Sequence, residues 1–274
     1  MADRIRADVA LVRQQLCESR ERAQAAIMEG RVYLGEKRIN KASETVGEEE
    51  VLTLKAPEIE YVSRGALKLE KAVRVFGADL AGRTVMDIGS STGGFTDVCL
   101  RCGAAHVYSI DVGYGQLDWK LRNDPRVTVM ERTNARYLEP EHFPVRPEVT
   151  VMDVSFISIR LILPVAARIM GDGGVFYTLI KPQFEAGRES VGKNGVVRDP
   201  ATHESVVNGI VDFAEEMGWR VTSVDFSPIT GPKGNIEFLA EIRRNDGTRE
   251  KVTPERVSEV VAEAHRTTAR SQGQ

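Results

Sequence analysis

The sequence predicts an α/β protein with a seven-stranded, mostly parallel, doubly wound sheet, preceded by a small α+β domain. From residue 84 onward, short β-rich runs alternate with helical stretches, which is typical of a parallel sheet. A glycine-rich turn follows the first of these runs, where an open α/β sheet binds its ligand. Basic residues gather before residue 42 and set the N-terminal part apart. We therefore expect two domains, residues 1–60 and 61–274, with residues 61–65 as a linker.

Composition places the chain among ordinary globular proteins. It has 274 residues, of which 42% are hydrophobic and 28% charged. Its longest apolar runs are interrupted by arginine and are shorter than a membrane span requires. Charges occupy the N-terminal region where a signal peptide needs an apolar core, and only three cysteines occur. These features predict a cytoplasmic protein that does not interact with membranes.

The first 60 residues contain two helical patterns and two β-prone runs. Apolar residues recur at helical spacing in residues 9–16 and again in 23–27, and Gly30 ends the second pattern. The β-prone runs 32–34 and 51–54 follow. This order predicts two short helices on a small hairpin.

Charge is distributed unevenly along the chain. The net charge is -3, but residues 4–41 hold nine basic residues against five acidic ones. Such a patch favours nucleic-acid binding, because lysine and arginine neutralise phosphates. A solvated basic face is an equally good explanation on charge alone.

The second domain begins with a helical pattern over residues 66–76, whose apolar face leaves Lys68 and Lys71 together on the other side. Seven β-prone runs follow: 84–88, 106–110, 127–130, 149–153, 175–181, 219–226 and 235–242. Only about eight residues separate the last two runs, too few for a helical crossover. We therefore expect those two strands to pair antiparallel.

The glycine-rich turn carries a pattern suited to a nucleoside cofactor. Its glycines are spaced Gly89-x-x-x-Gly93, and Asp87 precedes them. A carboxylate would repel the pyrophosphate of NAD, whereas it would attract the ammonium group of S-adenosylmethionine, directly or through water. Asp111 ends the next strand, where it can accept hydrogen bonds from ribose hydroxyls. The pair predicts S-adenosylmethionine, with NAD as a weaker alternative.

Three charged residues are expected near the same edge of the sheet. Asp153 and Lys181 close their strands, and Glu237 lies in the last strand. Each has a simpler explanation, since a charge at a strand end can cap a loop and Glu237 can be an exposed position on an edge strand.

No metal site is predicted. Cys99 and Cys102 form a C-x-x-C with His106 nearby, but this spacing places both sulfurs on one helix face, and no second ligand pair exists. The chain also lacks an Asn-Pro-Pro-Tyr-type segment for amino methylation and a cysteine placed to attack a pyrimidine. A hydroxyl is therefore the expected methyl acceptor.

At this point the sequence resembles the TlyA proteins, ribosomal RNA ribose 2'-O-methyltransferases with an S4-like domain fused to an FtsJ-like catalytic domain. The resemblance covers nearly the whole chain. In the first domain it rests on Ser19-Arg20 and the residues around Gly30 and Lys41. In the second it rests on nine segments: 61–65, 68–69, 87–97, 111–117, 131–136, 153–158, 181–185, 195–200 and 231–235.

The resemblance implies a Rossmann-like class I methyltransferase fold, a Lys-Asp-Lys-Glu catalytic set and no metal. The matching catalytic positions are Lys68, Asp153, Lys181 and Glu237, with Lys181 as our candidate for the base. The implied cofactor residues are Asp87, Gly89, Ser91, Gly93, Gly94, Phe95, Asp111, Val112 and Asn134. The RNA-binding candidates are Arg4, Arg6, Arg20, Lys41 and Arg64.

The implied substrate is cytidine in 16S or 23S ribosomal RNA, or in both, within assembled 30S or 50S subunits and with no obligate protein partner. The long connection 183–200 is expected to cover or guide the RNA, and a passive surface loop is the alternative. The chain departs from the family at the hairpin turn, where Gly35-Glu36 replaces the usual Asn-Gly. Two other functions stay open: a membrane-active protein, because the family is also called hemolysin-like, and a non-catalytic S4-type RNA-binding protein. Nothing in the sequence resembles a pore-forming segment.

Overall fold

Internal contacts divide the chain into two units, Met1–Glu60 and Tyr61–Gln274. The structure is a computed structural model, and it describes residues 4–28, 30–47, 49–55, 61–171, 173–192 and 194–272. The predicted domain boundary, at residue 60, lies outside the described residues.

The first unit combines two helices with short strands. Its elements are β1 (Arg4–Arg6), α1 (Ala7–Arg13), α2 (Arg20–Met28), β2 (Val32–Leu34), β3 (Lys37–Arg38), β4 (Thr45–Gly47) and β5 (Leu52–Leu54). The predicted pairing of β2 with β5 is present and antiparallel. Strand β3 extends this sheet, and β1 pairs separately with β4. The two helices were predicted, whereas β1, β3 and β4 were missed because each of them contains at most one apolar residue.

The turn between β2 and β3 explains why the usual Asn-Gly is dispensable. Leu34 pairs with Lys37, so Gly35 and Glu36 form a two-residue turn. Gly35 has φ +58, and Glu36 is not among the residues with positive φ. A turn of this length with glycine first needs positive φ at that position only.

The second unit begins with α3 (Ala66–Phe76), β6 (Thr84–Ile88), α4 (Gly94–Arg101), β7 (His106–Ile110), α5 (Trp119–Arg122), β8 (Val127–Met130) and β9 (Val149–Met152). It continues with α6 (Leu163–Met170), β10 (Val175–Ile180), α7 (Pro182–Glu185), α8 (Pro200–Glu216), β11 (Trp219–Phe226), β12 (Phe238–Arg244) and α9 (Pro254–Gln272). Short 3-10 helices lie at Ala135–Tyr137, Pro140–His142, Ile159–Leu161 and Arg188–Ser190.

The seven strands form one sheet in the order β11-β12-β10-β9-β6-β7-β8. Among these seven, only β12 runs in the direction opposite to the other six, as the short connection from β11 predicted. The predicted sheet is therefore confirmed, but four strand ends were misplaced. Strand β9 stops at Met152, β10 stops at Ile180, and β12 starts at Phe238 and ends at Arg244. Asp153, Lys181 and Glu237 consequently lie just outside the strands.

Both faces of the sheet are covered by helices. Alternate residues of each strand face opposite sides, so Val85 belongs to the core under α3 and α4 while Met86 belongs to the core under α6, α8 and α9. A sheet buried on both faces accounts for the near-continuous apolar runs in its strands.

Helix α3 is buried on more than its apolar face. Lys68 and Lys71 do lie together on the second side, but that side faces other parts of the unit. Lys68 is only 7% exposed, and Lys71 donates to Asp225 Oδ1 at 2.8 Å and to the Phe226 carbonyl oxygen. Helix α3 therefore supplies lysines to the interior.

Candidate active site

The site forms where four strands meet one edge of the sheet. Ile180 of β10 pairs with Phe238 of β12, so Lys181 and Glu237, one step beyond, become neighbours. Ile88 of β6 pairs with Met152 of β9, which places the first glycine of the turn against Asp153 in the same way. Strand register alone thus gathers groups that are distant in sequence.

Two lysines and two carboxylates form a buried ion cluster at this edge. Lys68 Nζ lies 2.7 Å from Glu237 Oε2 and 3.0 Å from Asp153 Oδ2. Lys181 Nζ lies 2.5 Å from Asp153 Oδ1 but donates its hydrogen bond to Ser155 Oγ, at 2.9 Å. The structure therefore brings together all four residues that the family resemblance named as catalytic.

When both lysines are protonated, the cluster is electrically balanced, with two positive and two negative charges. Burial alone would lower the pKa of Lys68, but the Asp153 and Glu237 carboxylates outweigh it and raise that pKa. Lys68 consequently stays an ammonium ion. Glu237 is 2% exposed, and the strand that follows it, β12, lies between β11 and β10 inside the sheet, so the explanation of an exposed edge position is wrong.

A cavity of about 540 Å³ opens beside the cluster, and a second cavity of about 380 Å³ adjoins it. Five residues line both: Gly89, Ser91, Asp153, Ser155 and Phe156. The first cavity also reaches Gly94 and Phe95, and the second reaches Asp111, Val112 and Asn134. The shared walls make a continuous groove of the size that nucleoside ligands occupy.

The glycine turn forms one wall of this groove. Gly89 has φ +84, and a Cβ atom there would lie 2.7 Å from the Asp153 carbonyl oxygen. Asp111 accepts from the backbone N–H groups of Ser91 (2.8 Å) and Gly113 (2.7 Å). Its carboxylate is thus fixed at the groove with lone pairs left for ribose hydroxyls. These residues fit the nucleoside end of S-adenosylmethionine.

Asp87, which was expected to attract the ammonium group directly or through water, lies beneath the turn. Its side chain is fully buried and lines neither cavity, and Oδ2 accepts from Thr96 Oγ1 at 2.6 Å. Burial raises the pKa of Asp87 to about 7, with the nearby Asp153 charge adding to the effect. Among the residues that the structure describes, none donates a hydrogen bond to Oδ1, so one buried acceptor under the turn remains available to an ammonium group or water.

Gly93 does not line either cavity. It has φ +97, and a Cβ atom there would lie 2.3 Å from Leu121 and 2.8 Å from Leu117. Its function in this geometry is to let the turn pack closely against α5 and the preceding loop. The neighbouring Gly94, in contrast, does line the main cavity.

Phe156 is a feature of the groove that the sequence did not reveal. Its side chain is 92% exposed at the cavity wall, although its backbone has φ +64. The Phe184 ring lies 5.2 Å away, centroid to centroid. Left-handed backbone is unusual for a bulky residue and is found mainly where function requires it.

Asn235 was also missed, and it joins the long connection to the groove. Its Oδ1 accepts from the Val197 N–H at 3.0 Å, and its Nδ2 donates to the Gly195 carbonyl oxygen at 2.9 Å. Asn235 is 3% exposed and lines the main cavity together with Gly195. The end of the 183–200 connection is therefore part of the cavity wall.

The basic candidates of the first unit are exposed but not all free. Arg6 and Arg20 both bind the buried Asp8, at 2.9 and 3.1 Å, and their side chains stay about half exposed. Arg4 donates to the Thr45 carbonyl oxygen at 2.6 Å. Lys41 is exposed on the same unit, and Arg64 is exposed just before α3 of the second unit. These contacts orient the guanidinium groups and leave N–H groups for phosphates.

The two cysteines of the C-x-x-C lie on α4 and just after it. Cys99 is fully buried, and burial raises the pKa of its thiol well above the usual value. Burial also raises the pKa of Cys102. Neither thiol is activated as a nucleophile.

Comparison with known proteins assigns both units. Residues 61–244 match the FtsJ-like methyltransferase family, and residues 5–52 match the S4 domain. The chain is 50% identical to a candidate rRNA methyltransferase of Bacillus subtilis, YqxC, over 96% of this chain and 94% of that one. It is 45% identical to the 16S/23S rRNA (cytidine-2'-O)-methyltransferase TlyA of Mycobacterium tuberculosis, over 89% and 91%. A solved structure from Streptococcus thermophilus, described as a candidate hemolysin, is 45% identical with a TM-score of 0.76, and all of both chains is covered.

Within the described ranges, no helix has both the length and the apolar character needed to cross a bilayer.

Proposed function

The chain belongs to the FtsJ-like methyltransferase family, and on that premise we propose that it methylates the 2'-hydroxyl of cytidine in ribosomal RNA. The identity to a TlyA enzyme over most of both chains supports this substrate. The observation that carries the proposal is the buried cluster of Lys68, Asp153, Lys181 and Glu237 beside the glycine turn. S-adenosylmethionine, when bound, supplies a methyl group on a positively charged sulfur.

Lys181 is the residue that takes the proton. A ribose hydroxyl is protonated at neutral pH, so it needs a base as its oxygen forms the new bond. Lys68 is held by two carboxylates and stays protonated, whereas Lys181 contacts one carboxylate and the neutral Ser155 hydroxyl. In its neutral form, Lys181 Nζ accepts the hydroxyl proton and becomes an ammonium ion.

The other three members position the base. Asp153 contacts both lysines and keeps their nitrogens at a fixed separation. Glu237 holds Lys68 and is itself held by Gln183 Nε2 at 3.3 Å. Because these groups have little exposure, water does not compete for the proton.

RNA capture is assigned to the S4 domain. Its exposed Arg4, Arg6, Arg20 and Lys41 supply positive charge for phosphates. In the second unit, the exposed Arg64 is a further positive charge, next in sequence to the cavity residues Ser63 and Gly65. The exposed Phe156 ring at the cavity wall is where the target base can stack. Assembled ribosomal subunits, rather than free RNA, are the proposed substrate form.

The proposal is tested by mapping 2'-O-methylation in 30S and 50S subunits incubated with purified protein and S-adenosylmethionine. Methylation of cytidine is expected, and its absence from both subunits would contradict the proposal. Lys181→Ala should lower the single-turnover rate by at least about 100-fold while cofactor binding in calorimetry stays near wild type. Lys71→Ala is the control, because Lys71 is also an ion-paired lysine but does not line the cavity.

Lys181→Arg separates proton transfer from electrostatic positioning. Arginine keeps the positive charge but does not lose its proton at neutral pH, so it cannot act as a base. We expect Lys181→Arg to be as inactive as Lys181→Ala. Substantial methylation by Lys181→Arg would show that Lys181 only orients the ribose.

A further inference from the structure

Glu185 is a buried acid that the proposed chemistry does not use. It ends α7, four residues after Lys181, and its side chain is 3% exposed. Oε2 accepts from Ser158 Oγ at 2.7 Å, and Oε1 accepts from the Ile159 backbone N–H at 2.8 Å. Arg160 Nε lies 4.0 Å from Oε2 and also reaches over the Phe213 ring of α8. All of its described polar partners thus belong to the segment that follows β9.

These bonds complete a two-ended attachment of the segment 153–159. Lys181 holds its beginning through Asp153 and Ser155, and Glu185 holds its end through Ser158 and Ile159. The segment is therefore fixed to 181–185 at both ends.

Phe156 lies between the two attachments, with its unusual φ of +64 and its ring against Phe184. A left-handed backbone at a bulky residue persists only when its surroundings determine it. Without the attachment at Ser158 and Ile159, the segment can relax toward ordinary backbone angles. The ring would then leave its place beside Phe184.

We propose that Glu185 is a positioning residue that holds Phe156 beside Phe184 so that the pair receives the base of the target nucleotide. This rests on the proposed function, because the base belongs to the RNA substrate. Aromatic rings bind bases by stacking, and a ring that is already in place loses less conformational entropy on binding. Glu185 therefore acts on the binding of RNA, and it does not act on the cofactor or on the proton acceptor.

Hydrogen exchange tests, without any substrate, whether Glu185 holds the segment 153–159 in place. Glu185→Ala should raise exchange at the Ile159 amide by at least about tenfold, because that N–H loses its charged acceptor. Glu185→Gln should stay near wild type, since its oxygen can accept from Ile159 and its amide nitrogen can donate to Ser158 Oγ. Unchanged protection in Glu185→Ala, or equal loss in both variants, would overturn the proposal.

A double-mutant cycle tests the link to RNA. Glu185→Ala and Phe156→Ala should each raise KM for ribosomal subunits by roughly tenfold, the cost of about one stacked base. The double variant should be no worse than Phe156→Ala alone, because Glu185 acts through that ring. Additive losses would overturn the proposal, and so would a loss of S-adenosylmethionine affinity in Glu185→Ala.

Ser158→Ala provides a milder variant if Glu185→Ala does not fold. It removes one of the two bonds and should give an intermediate KM, again with no further effect when Phe156 is alanine. An unchanged KM in Ser158→Ala would count against the proposal. Failure of the proposed function is recognised separately, because the wild-type protein would then methylate neither subunit while the exchange result still stands.

Discussion

At the scale of single residues, Gly89 is a position in the turn where backbone atoms leave no room for a side chain. It combines φ +84 with a backbone oxygen 2.7 Å from where a Cβ atom would lie. Gly82 has a similar φ of +70, but nothing lies within 4 Å of its Cβ position. Both glycines therefore require a positive φ, but only at Gly82 is there room for a Cβ atom.

We expect Gly82→Ala to lower the free energy of unfolding by about 1 kcal/mol, the cost of alanine in left-handed backbone. Gly89→Ala should cost about 1–3 kcal/mol more, because Asp153 must move, and it should weaken S-adenosylmethionine binding. Denaturant unfolding and calorimetry measure both effects. Equal losses in the two variants, with unchanged cofactor affinity, would contradict a steric function for Gly89.

Residue positions were predictable where a local pattern marks them. Asp153 and Lys181 follow apolar runs, so their place at the sheet edge could be inferred before their contacts were known. Glu185 and Phe156 could not be assigned this way, since nothing near Glu185 in sequence shows that its partners lie in the segment after β9. For Asp87, the sequence predicted the position of the residue beside the turn but not the direction of its side chain. That direction depends on strand alternation, which decides whether a side chain faces the groove or the core.

At the scale of elements, α8 and α9 meet through two histidines. His203 of α8 is fully buried, its Nδ1 lies 2.9 Å from His265 Nε2 of α9, and its ring packs on Phe238 of β12. Burial, and then the His265 charge, lower the pKa of His203 to about 4, although Asp199 acts in the opposite direction. Folding therefore requires a neutral His203.

This pair should make stability depend on pH. The unfolded chain protonates His203 below about pH 6.5, but the folded chain does so only near pH 4, so stability is lost as pH falls between these values. The difference in unfolding free energy between wild type and His203→Gln should therefore shrink by on the order of 1 kcal/mol from pH 7.5 to pH 5. Urea unfolding of both proteins measures it, and a difference that stays constant with pH would refute the interpretation.

Element prediction succeeded for the large sheet and was weaker for the first unit. Buried strands of four to eight residues leave apolar runs that a sequence shows clearly, as β9 and β10 do. The short strands β1 and β3 are mostly charged, with Arg-Ile-Arg and Lys-Arg as their sequences, so no apolar run marks them. Helix α3 was located correctly, yet its lysines were not recognised as buried. The second buried side of this helix carries lysines, and in sequence such a side cannot be told from one that faces solvent.

At the scale of the whole molecule, the net charge of -3 conceals a basic stretch, residues 4–41, which holds nine basic residues against five acidic ones. Nucleic-acid affinity should therefore fall steeply with salt, as counterions are released from phosphates. Arg20→Glu should weaken binding to ribosomal subunits and reduce the slope of log affinity against log salt by about 1 or more. Filter binding over a salt series measures the slope.

Arg256→Glu is the matched control for this measurement. It makes the same charge change on α9 of the second unit, where Arg256 pairs with Glu259. We expect Arg256→Glu to leave the slope near wild type. Equal effects of the two variants would mean that RNA affinity depends only on the total charge of the protein, and that the basic patch does not contact the RNA phosphates.

The balanced ion cluster also constrains how this protein can evolve. Losing Lys68 alone would leave the buried Glu237 without a cation and Asp153 with Lys181 only, and losing Glu237 alone would leave the buried Lys68 with one of its two carboxylates. Either single step costs roughly 3–5 kcal/mol, a large share of the stability of an ordinary domain, before any effect on catalysis is counted. Descendants that abandon the chemistry are therefore expected to lose an acid and a base together, so that inactive members of the lineage carry paired replacements at these positions.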